Sequence, residues 1–287
     1  MLSKMPYNRP LWLNKKISIK DCRKVGGLLK GLDIHTVCQE ASCPNISECF
    51  GKNEATFLIL GKFCTRNCSF CNVEHRDPLP LDLKEPGRIV NAVKQLGIKH
   101  IVITSVTRDD LPDGGAEVFA ITIASIREKI NGATIEVLIP DFKGDEGSIK
   151  KVVSAGPDII GHNVETVPRL YRDIRPQANY KVSLNVLSAI KKLDNTNRIY
   201  TKSGIMLGMG ETKDEVLAVF SDLRNINCDF ISIGQYLRPS LSHYPVKKYI
   251  KPSMFLYYKA MAKKAGFLHV ESAPYVRSSY RAKEYLK

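Results

Sequence analysis

The chain has 287 residues, 44% of them hydrophobic and 25% charged, which is enough to bury a sizeable core and too many for a small disulfide or zinc-knuckle module. No apolar run approaches the roughly 20 residues that a bilayer span requires, so a transmembrane helix is excluded. Forty-three basic residues against 29 acidic ones give a formal charge of +14, which favours anionic partners without choosing among RNA, acidic proteins and phosphorylated metabolites.

Residues 1 to about 53 read as a loop-rich, basic arm. Its first twenty residues hold no acid and several Lys and Arg, as a transit peptide would. Pro6 and Pro10 interrupt them and no apolar stretch follows, which argues against a secretory signal. From Ala55 onward short β-branched runs alternate with amphipathic stretches. The runs are 56–60, 100–104, 134–139, 158–161, 199–206 and 230–234. Between them lie segments with apolar residues three and four apart, such as Ile89, Val90, Val93 and Leu96, or Val118, Phe119, Ile121, Ile123 and Ile126. Gly97, Gly132, Gly156 and Gly266 stand where such helices should stop. Strand then helix, repeated about six times, predicts a parallel sheet with crossover helices. Six units are too few for a closed eight-stranded barrel, so the expected fold class is α/β, an open, partial (β/α)6 TIM-like barrel. The expected division is an N-terminal extension over 1–53, the barrel over 54–270 and a C-terminal segment over 271–287.

Six of the eight cysteines fall in two triplets: Cys38, Cys43 and Cys49 in CQEASCPNISEC, and Cys64, Cys68 and Cys71 in CTRNCSFC. Disulfide pairing is the plain reading of an even count, but nothing indicates export. A structural zinc site normally closes with four ligands, which His35 or His75 would have to complete here. A cubane iron–sulfur cluster has four irons, so three cysteines leave one iron open to another ligand. Cys22 and Cys228 stand alone and read as small buried hydrophobes.

CTRNCSFC, with the aromatic Phe70 just before its last cysteine, resembles the signature of the radical S-adenosylmethionine superfamily. The preceding triplet, taken with RSSY at 277–280, is similar to one family within it, lipoyl synthase. Matching stretches run in order along nearly the whole chain: RPLWL at 9–13, TSVTRDDLPDGGA at 104–116, HNVET at 162–166, RPQANY at 175–180, SGIMLGMGET at 203–212 and QYLRPS at 235–240. GIMLGMGE resembles the GxIxGxxE pattern that lines the adenine pocket in the superfamily, with Met206 where isoleucine usually stands.

The resemblance implies two 4Fe-4S clusters. Cys64, Cys68 and Cys71 would bind the catalytic one, whose fourth iron chelates S-adenosylmethionine and cleaves it to a 5′-deoxyadenosyl radical. Cys38, Cys43 and Cys49, with the oxygen of Ser279, would hold an auxiliary cluster that gives up sulfide. In barrel-like folds chemistry gathers at the C-terminal ends of strands. Phe70, Thr107, Asn163, Glu165, Gly208, Glu211 and Arg238 are accordingly expected to contact S-adenosylmethionine. Capping and turn roles are the plainer alternatives, with Asp109 and Glu211 in the first turns of their helices, complementing the dipole.

By the same resemblance the product is a lipoyl group, made by inserting sulfur at carbons six and eight of an octanoyl chain on a carrier-domain lysine, a sulfurtransferase reaction. The partners implied are lipoyl carrier domains of 2-oxoacid dehydrogenase complexes and the glycine cleavage H protein, a flavodoxin or ferredoxin electron donor, and a cluster-repair carrier. Neither nucleic acid nor membrane is expected as a partner, and the expected location is the cytoplasm. Such carriers are generally acidic, so the positive charge fits steering of a protein substrate, with Lys15 and Lys16 as contacts. The rivals are a radical enzyme that inserts sulfur into RNA, which would bring a nucleic-acid-binding domain and another N-terminal cysteine pattern, and a non-enzymatic iron–sulfur or zinc nucleic-acid binder.

Overall fold

A computed structural model describes residues 9–16 and 18–286. Residues 1–8, which open the basic arm and include Pro6, lie outside the described residues, as do residues 17 and 287.

One sheet carries eight strands in chain order: β1 His35–Thr36, β2 Thr56–Ile59, β3 His100–Ser105, β4 Thr134–Leu138, β5 Ile159–Gly161, β6 Tyr200–Leu207, β7 Phe230–Gln235 and β8 His269–Ser272. β1 is antiparallel to β2, and every later neighbour is parallel. The six expected runs are all strands, and the sheet is a partial barrel that does not close on itself. A seventh parallel strand, β8, goes beyond them. His-Val-Glu-Ser lacks the β-branched run of an interior strand, because it lies at the edge and only alternate residues are buried.

The crossover helices cover the outer face. Glu85–Leu96 buries Ile89, Val90, Val93 and Leu96, and stops at Gly97, whose φ of 66° needs no Cβ. In Ala116–Lys129, Phe119, Ile123 and Ile126 are buried, whereas Ile121 points outward and is 44% exposed. A strict three-and-four spacing from Phe119 skips position 121, which is the physical reason for the difference.

The arm is less loop-like than expected. It forms helices over Ile19–Gly31, Val37–Glu40 and Ile46–Gly51. The first is capped by the Ser18 hydroxyl and buries Val25 and Leu29, four residues apart. Gly26 and Gly27 in its middle lower intrinsic helicity, so packing of that apolar stripe carries the helix.

After β8 the chain turns back across the sheet. Ala273 donates its N–H to Ile233 O, and Pro274 O accepts from Gln235 N. Val276 O lies so close to Gly234 that a Cβ there would approach it to 2.1 Å. The tail ends in a short 3-10 turn, Ala282–Leu286, where Tyr285 packs against Phe230 and His269, the first residues of β7 and β8. It thereby runs from the C-terminal ends of the strands to their N-terminal ends.

Candidate active site

β2 leads into Leu60 and Gly61, both at positive φ, whose N–H groups donate to the buried Glu85 carboxylate at 2.8 and 3.4 Å. This turn launches the loop that carries Cys64, Cys68 and Cys71. Cys64 is tied at both backbone atoms, its N donating to Glu74 O and its O accepting from Arg76 N. Its Sγ accepts N–H bonds from Thr107 at 3.3 Å and Arg66 at 3.5 Å. The rest of the loop is pinned by two segments, 174–177 and 243–244. Asn67 N donates to Gln177 Oε1 and Ser69 N to Ile174 O, while His243 Nε2 contacts Cys71 O and Tyr244 N donates to Ser69 O. Phe70 is half-buried against the core.

Arg66, inside the motif, makes bidentate contacts with two carboxylates: Asp109 at 2.6 and 3.0 Å, and Asp141 at 2.7 and 2.8 Å. Asp109 follows β3 and Asp141 follows β4, so one guanidinium binds the cysteine loop to two strand ends. Asp109 therefore has a different role from dipole complementation, and its helix begins only at Ala116.

Burial pushes the Cys71 thiol up to about 12 and raises that of Cys68. Such thiols stay neutral until a metal displaces their protons. The amides aimed at Cys64 Sγ are what a metal-bound thiolate uses, so the donor set fits an iron–sulfur cluster. A one-ion zinc cage fits less well. His75 Nδ1 is engaged by Cys64 O and His35 Nδ1 by Glu40, and among the described residues no three His, Cys, Asp or Glu side chains converge on one metal position. All eight cysteines are free thiols, so the disulfide alternative is not realised. Cys228 is buried as expected, and Cys22 is half-buried.

Asn163 and Glu165 follow β5. Glu165 has φ 64° and joins the edge of β6 through its N–H to Gly204 O and its carbonyl to Met206 N. Burial raises its carboxyl pKa against the pull of Arg175, and its charge bears on Cys68 and Cys71. Asn163 Nδ2 donates to Glu165 Oε1 at 2.9 Å and to Ser278 Oγ. Gly204 makes room, since a Cβ there would meet Asn163 Oδ1 and Ser232 Oγ at 2.8 Å. At Gly208, φ 103°, a Cβ would come within 2.2 Å of Gln235 Nε2. Glu211 accepts from Gly208 N at 2.6 Å and Met209 N at 2.9 Å, so it holds the glycine turn rather than the helix dipole. The helix that follows, Lys213–Asn225, is capped by Thr212 and Glu215 instead. Arg238 Nε and Nη2 donate to His243 O and Leu241 O, within its own loop. Thr107 reaches Cys64 through its backbone, as described.

In the N-terminal triplet, Cys38 and Cys49 sit on the two short helices of the arm and Cys43 in the turn between them. Cys43 N donates to Cys38 O, and Cys49 N to Asn45 O. Burial pushes Cys38 up to about 11 and Cys49 to about 12, and the charges of Cys38 and Cys43 both bear on Cys49, which marks the three as neighbours. Thr56, the first residue of β2, lies beside Cys38 and opposes the rise of its pKa, and its hydroxyl donates to Ser279 Oγ at 2.7 Å. Ser279 is thus brought beside this triplet through Thr56. Arg277 lies near both Cys43 of this triplet and Glu165. Burial lowers its pKa, while the charges of Cys43 and Glu165 oppose that.

Lys15 is not a free surface contact: Nζ donates to Asn45 Oδ1 at 2.6 Å and Glu48 Oε2 at 2.9 Å. Lys16 is exposed. Sequence reasoning assigned no role to Thr56, Arg66, Arg175 or Arg277. The three arginines stand inside quoted motifs, which was the available signal, but the partners of Arg66 come from the ends of β3 and β4, far along the chain.

The radical SAM superfamily model matches residues 58–223. Lipoyl synthase of Caldicellulosiruptor saccharolyticus is 57% identical over 284 residues, 99% of each chain. Lipoyl synthase of Geobacter metallireducens is 56% identical over 277 residues, covering 96% of this chain and 97% of its own. Among solved structures, methylornithine synthase superposes with a TM-score of 0.53 at 14% identity, covering 87% of this chain and 82% of that one. The hydrogenase maturase HydG does so with a TM-score of 0.58 at 16% identity, covering 89% and 68%. These two likenesses are of fold alone. With the triplet loop at the strand ends and this identity along its length, the chain belongs to the radical SAM superfamily and, within it, to the lipoyl synthase family.

Proposed function

We propose that the protein converts octanoylated carrier domains to lipoylated ones in the cytoplasm, inserting sulfur at carbons six and eight of the octanoyl chain. The observation that carries this reading is one tail that touches residues beside both cysteine triplets: Ser279 on Thr56, which neighbours Cys38, and Ser278 on Asn163, which bonds Glu165. In this reading Cys64, Cys68 and Cys71 hold a 4Fe-4S cluster that, with S-adenosylmethionine, supplies a 5′-deoxyadenosyl radical able to take hydrogen from an unactivated methylene.

The protein's part is positioning and exclusion of water. Thr107 and Arg66 amides compensate the Cys64 sulfur, and the Arg66 clamp fixes the loop against two strands. Phe70, Asn163, Glu165, Gly208, Glu211 and Arg238 surround or shape the space beside it. Glu211 does so by holding the glycine turn and Arg238 by holding the loop that contacts Cys71. The second cluster, on Cys38, Cys43, Cys49 and Ser279, is a substrate whose sulfides are consumed. A serine oxygen is a harder, less usual ligand for its iron than a thiolate, which suits a site meant to open. The arm over 1–53 and the tail over 271–287 would then be the parts added to a 54–270 barrel to hold that donor. Electrons would come from a flavodoxin or ferredoxin, and a carrier would rebuild the cluster. Among the described residues no helix is long and apolar enough to cross a membrane.

Anaerobic reconstitution should give about eight irons per chain, as two cubanes require. Incubation with S-adenosylmethionine, reductant and an octanoylated carrier peptide should give 5′-deoxyadenosine and a peptide heavier by two sulfurs. Ser279→Ala should abolish insertion of at least one sulfur in a single turnover. Undiminished insertion of both would remove Ser279 from the reading, and stoichiometric zinc in place of iron would end it.

A further inference from the structure

Ser279 is bracketed by two anchors. Upstream, Tyr275 O accepts from Asn45 Nδ2 at 2.7 Å, and the Tyr275 ring lies 5.2 Å from Lys15 Nζ. Downstream, Tyr280 OH donates to Glu48, 3.2 Å from Oε1 and 3.4 Å from Oε2, and the Tyr280 ring lies 5.9 Å from the same Lys15 Nζ. Lys15 closes the set by donating to both Asn45 and Glu48. Asn45 immediately precedes the helix Ile46–Gly51, on which Glu48 immediately precedes Cys49. Two separate stretches of chain, the arm at Lys15 and the tail, thus converge on the cysteine-bearing helix. Nothing in the chemistry proposed above uses these contacts.

We propose that Lys15, Asn45, Glu48 and Tyr280 form a latch that clamps the C-terminal tail onto the N-terminal triplet, making Glu48 and Tyr280 positioning residues for Ser279. This rests on the reading in which Ser279 closes that triplet. A serine oxygen binds iron less firmly than a thiolate, so its occupancy depends on how tightly the chain holds it in place. Anchors on both sides of Ser279 supply that effective concentration, and they are bonds that can open without unfolding the barrel. Tyr280 adds a single hydrogen bond to a charged acceptor, a contact strong enough to matter and weak enough to release.

The test follows iron release from the anaerobically reconstituted full chain to a ferrous chelator. The phase accelerated by Ser279→Ala reports the N-terminal cluster. Tyr280→Phe and Glu48→Gln should each speed that phase about tenfold, the worth of one charge-assisted hydrogen bond, and leave the other phase unchanged. Lys283→Ala, which removes a different tail-to-arm ion pair with Glu54, should change neither phase. Adding Ser279→Cys to Tyr280→Phe should restore slow release, because a thiolate needs less help. If Ser279→Ala accelerates neither phase, the ligand reading fails and the latch with it. Should Ser279→Ala act while Tyr280→Phe and Glu48→Gln release iron at the wild-type rate, the latch alone is wrong. It is equally wrong if Lys283→Ala matches them, or if the cysteine fails to rescue. Tyr280→Phe removes one oxygen from a half-buried ring, so a folded variant is available for the decisive comparison.

Discussion

Asn163 donates through Nδ2 to Ser278 Oγ, joining the end of β5 to the C-terminal tail across 115 residues of sequence. The same amide nitrogen donates to Glu165 Oε1. A strand-end residue next to one triplet and a tail residue next to the other are therefore mechanically linked. Asn163→Ala should destabilise the apo-protein by about 1–3 kcal/mol, because Glu165 and Ser278 both lose a partner in a region shielded from water. Ser278→Ala should cost less. A double-mutant cycle by urea denaturation should give a coupling of about 1 kcal/mol, and additive effects would show that the contact carries no energy.

Arg66 holds two acids at once, and Asp141 is only 3% exposed. Replacing the arginine leaves that carboxylate buried without its cation, a situation that costs about 3–5 kcal/mol. Arg66→Met should therefore be among the most destabilising changes near the loop, and Arg66→Lys should recover little, since an ammonium cannot present two bidentate edges. Asp141→Asn should be milder than Arg66→Met. Denaturation of the three apo variants checks the order, and a lysine variant as stable as wild type would contradict it.

His162 offers a pH-dependent handle. It is 2% exposed, with Nδ1 on Ile139 O and Nε2 on Ser183 Oγ, and burial lowers its pKa to about 4. Nearby Arg175 and Arg66 push in the same direction, and Asp141 opposes them. The folded-state pKa lies below the unfolded value near 6.5, so the unfolded chain binds the proton first as pH falls. The contribution is intact above about pH 6.5 and is lost progressively down to about pH 4. At about 1.4 kcal/mol per unit, the change between pH 7 and pH 5 is about 2 kcal/mol. The difference in stability between wild type and His162→Gln, measured by urea melts of apo-protein at the two pH values, should narrow by that amount at pH 5. A pH-independent difference would mean that the ring charges within the fold.

Much of this was legible before any coordinates, and the part that was not has a physical explanation. The strands β2 to β7 declare themselves because buried parallel strands are rich in β-branched and apolar residues, even where β4 and β6 bury the Glu136–Lys202 pair. The cysteine loops declare themselves because ligand spacing is local. β8 was missed because an edge strand tolerates His269 and Glu271, which pair with each other. The helix Ile19–Gly31 was missed because Gly26 and Gly27 hide a stripe that only packing reveals. The partners of Asp109, Glu211 and Lys15 were not legible for one reason. A charged side chain near a helix start or on a basic arm looks the same in sequence whether it faces water or a partner, as Asp109 faces Arg66 and Lys15 faces Glu48.

At the other end of the tail, Tyr285 presents its ring to Lys202, whose Nζ lies 3.6 Å from the ring centroid and also pairs with Glu136 at 2.8 Å. The Tyr285 hydroxyl is buried and finds no hydrogen-bond partner among the described residues. The face of the ring is therefore useful and its oxygen is a liability, since a buried polar group without a partner costs about 1–3 kcal/mol. Tyr285→Phe should keep the contact with Lys202 and remove that cost, leaving the apo-protein as stable as wild type or more so. Tyr285→Ala should lose about 3–5 kcal/mol, as deletion of a buried aromatic does. The same substitution should free the tail from the start of β7 and raise hydrogen exchange over residues 282–286. A destabilised Tyr285→Phe would show that the hydroxyl has a partner, and an undisturbed Tyr285→Ala would show that the tail is held without this ring.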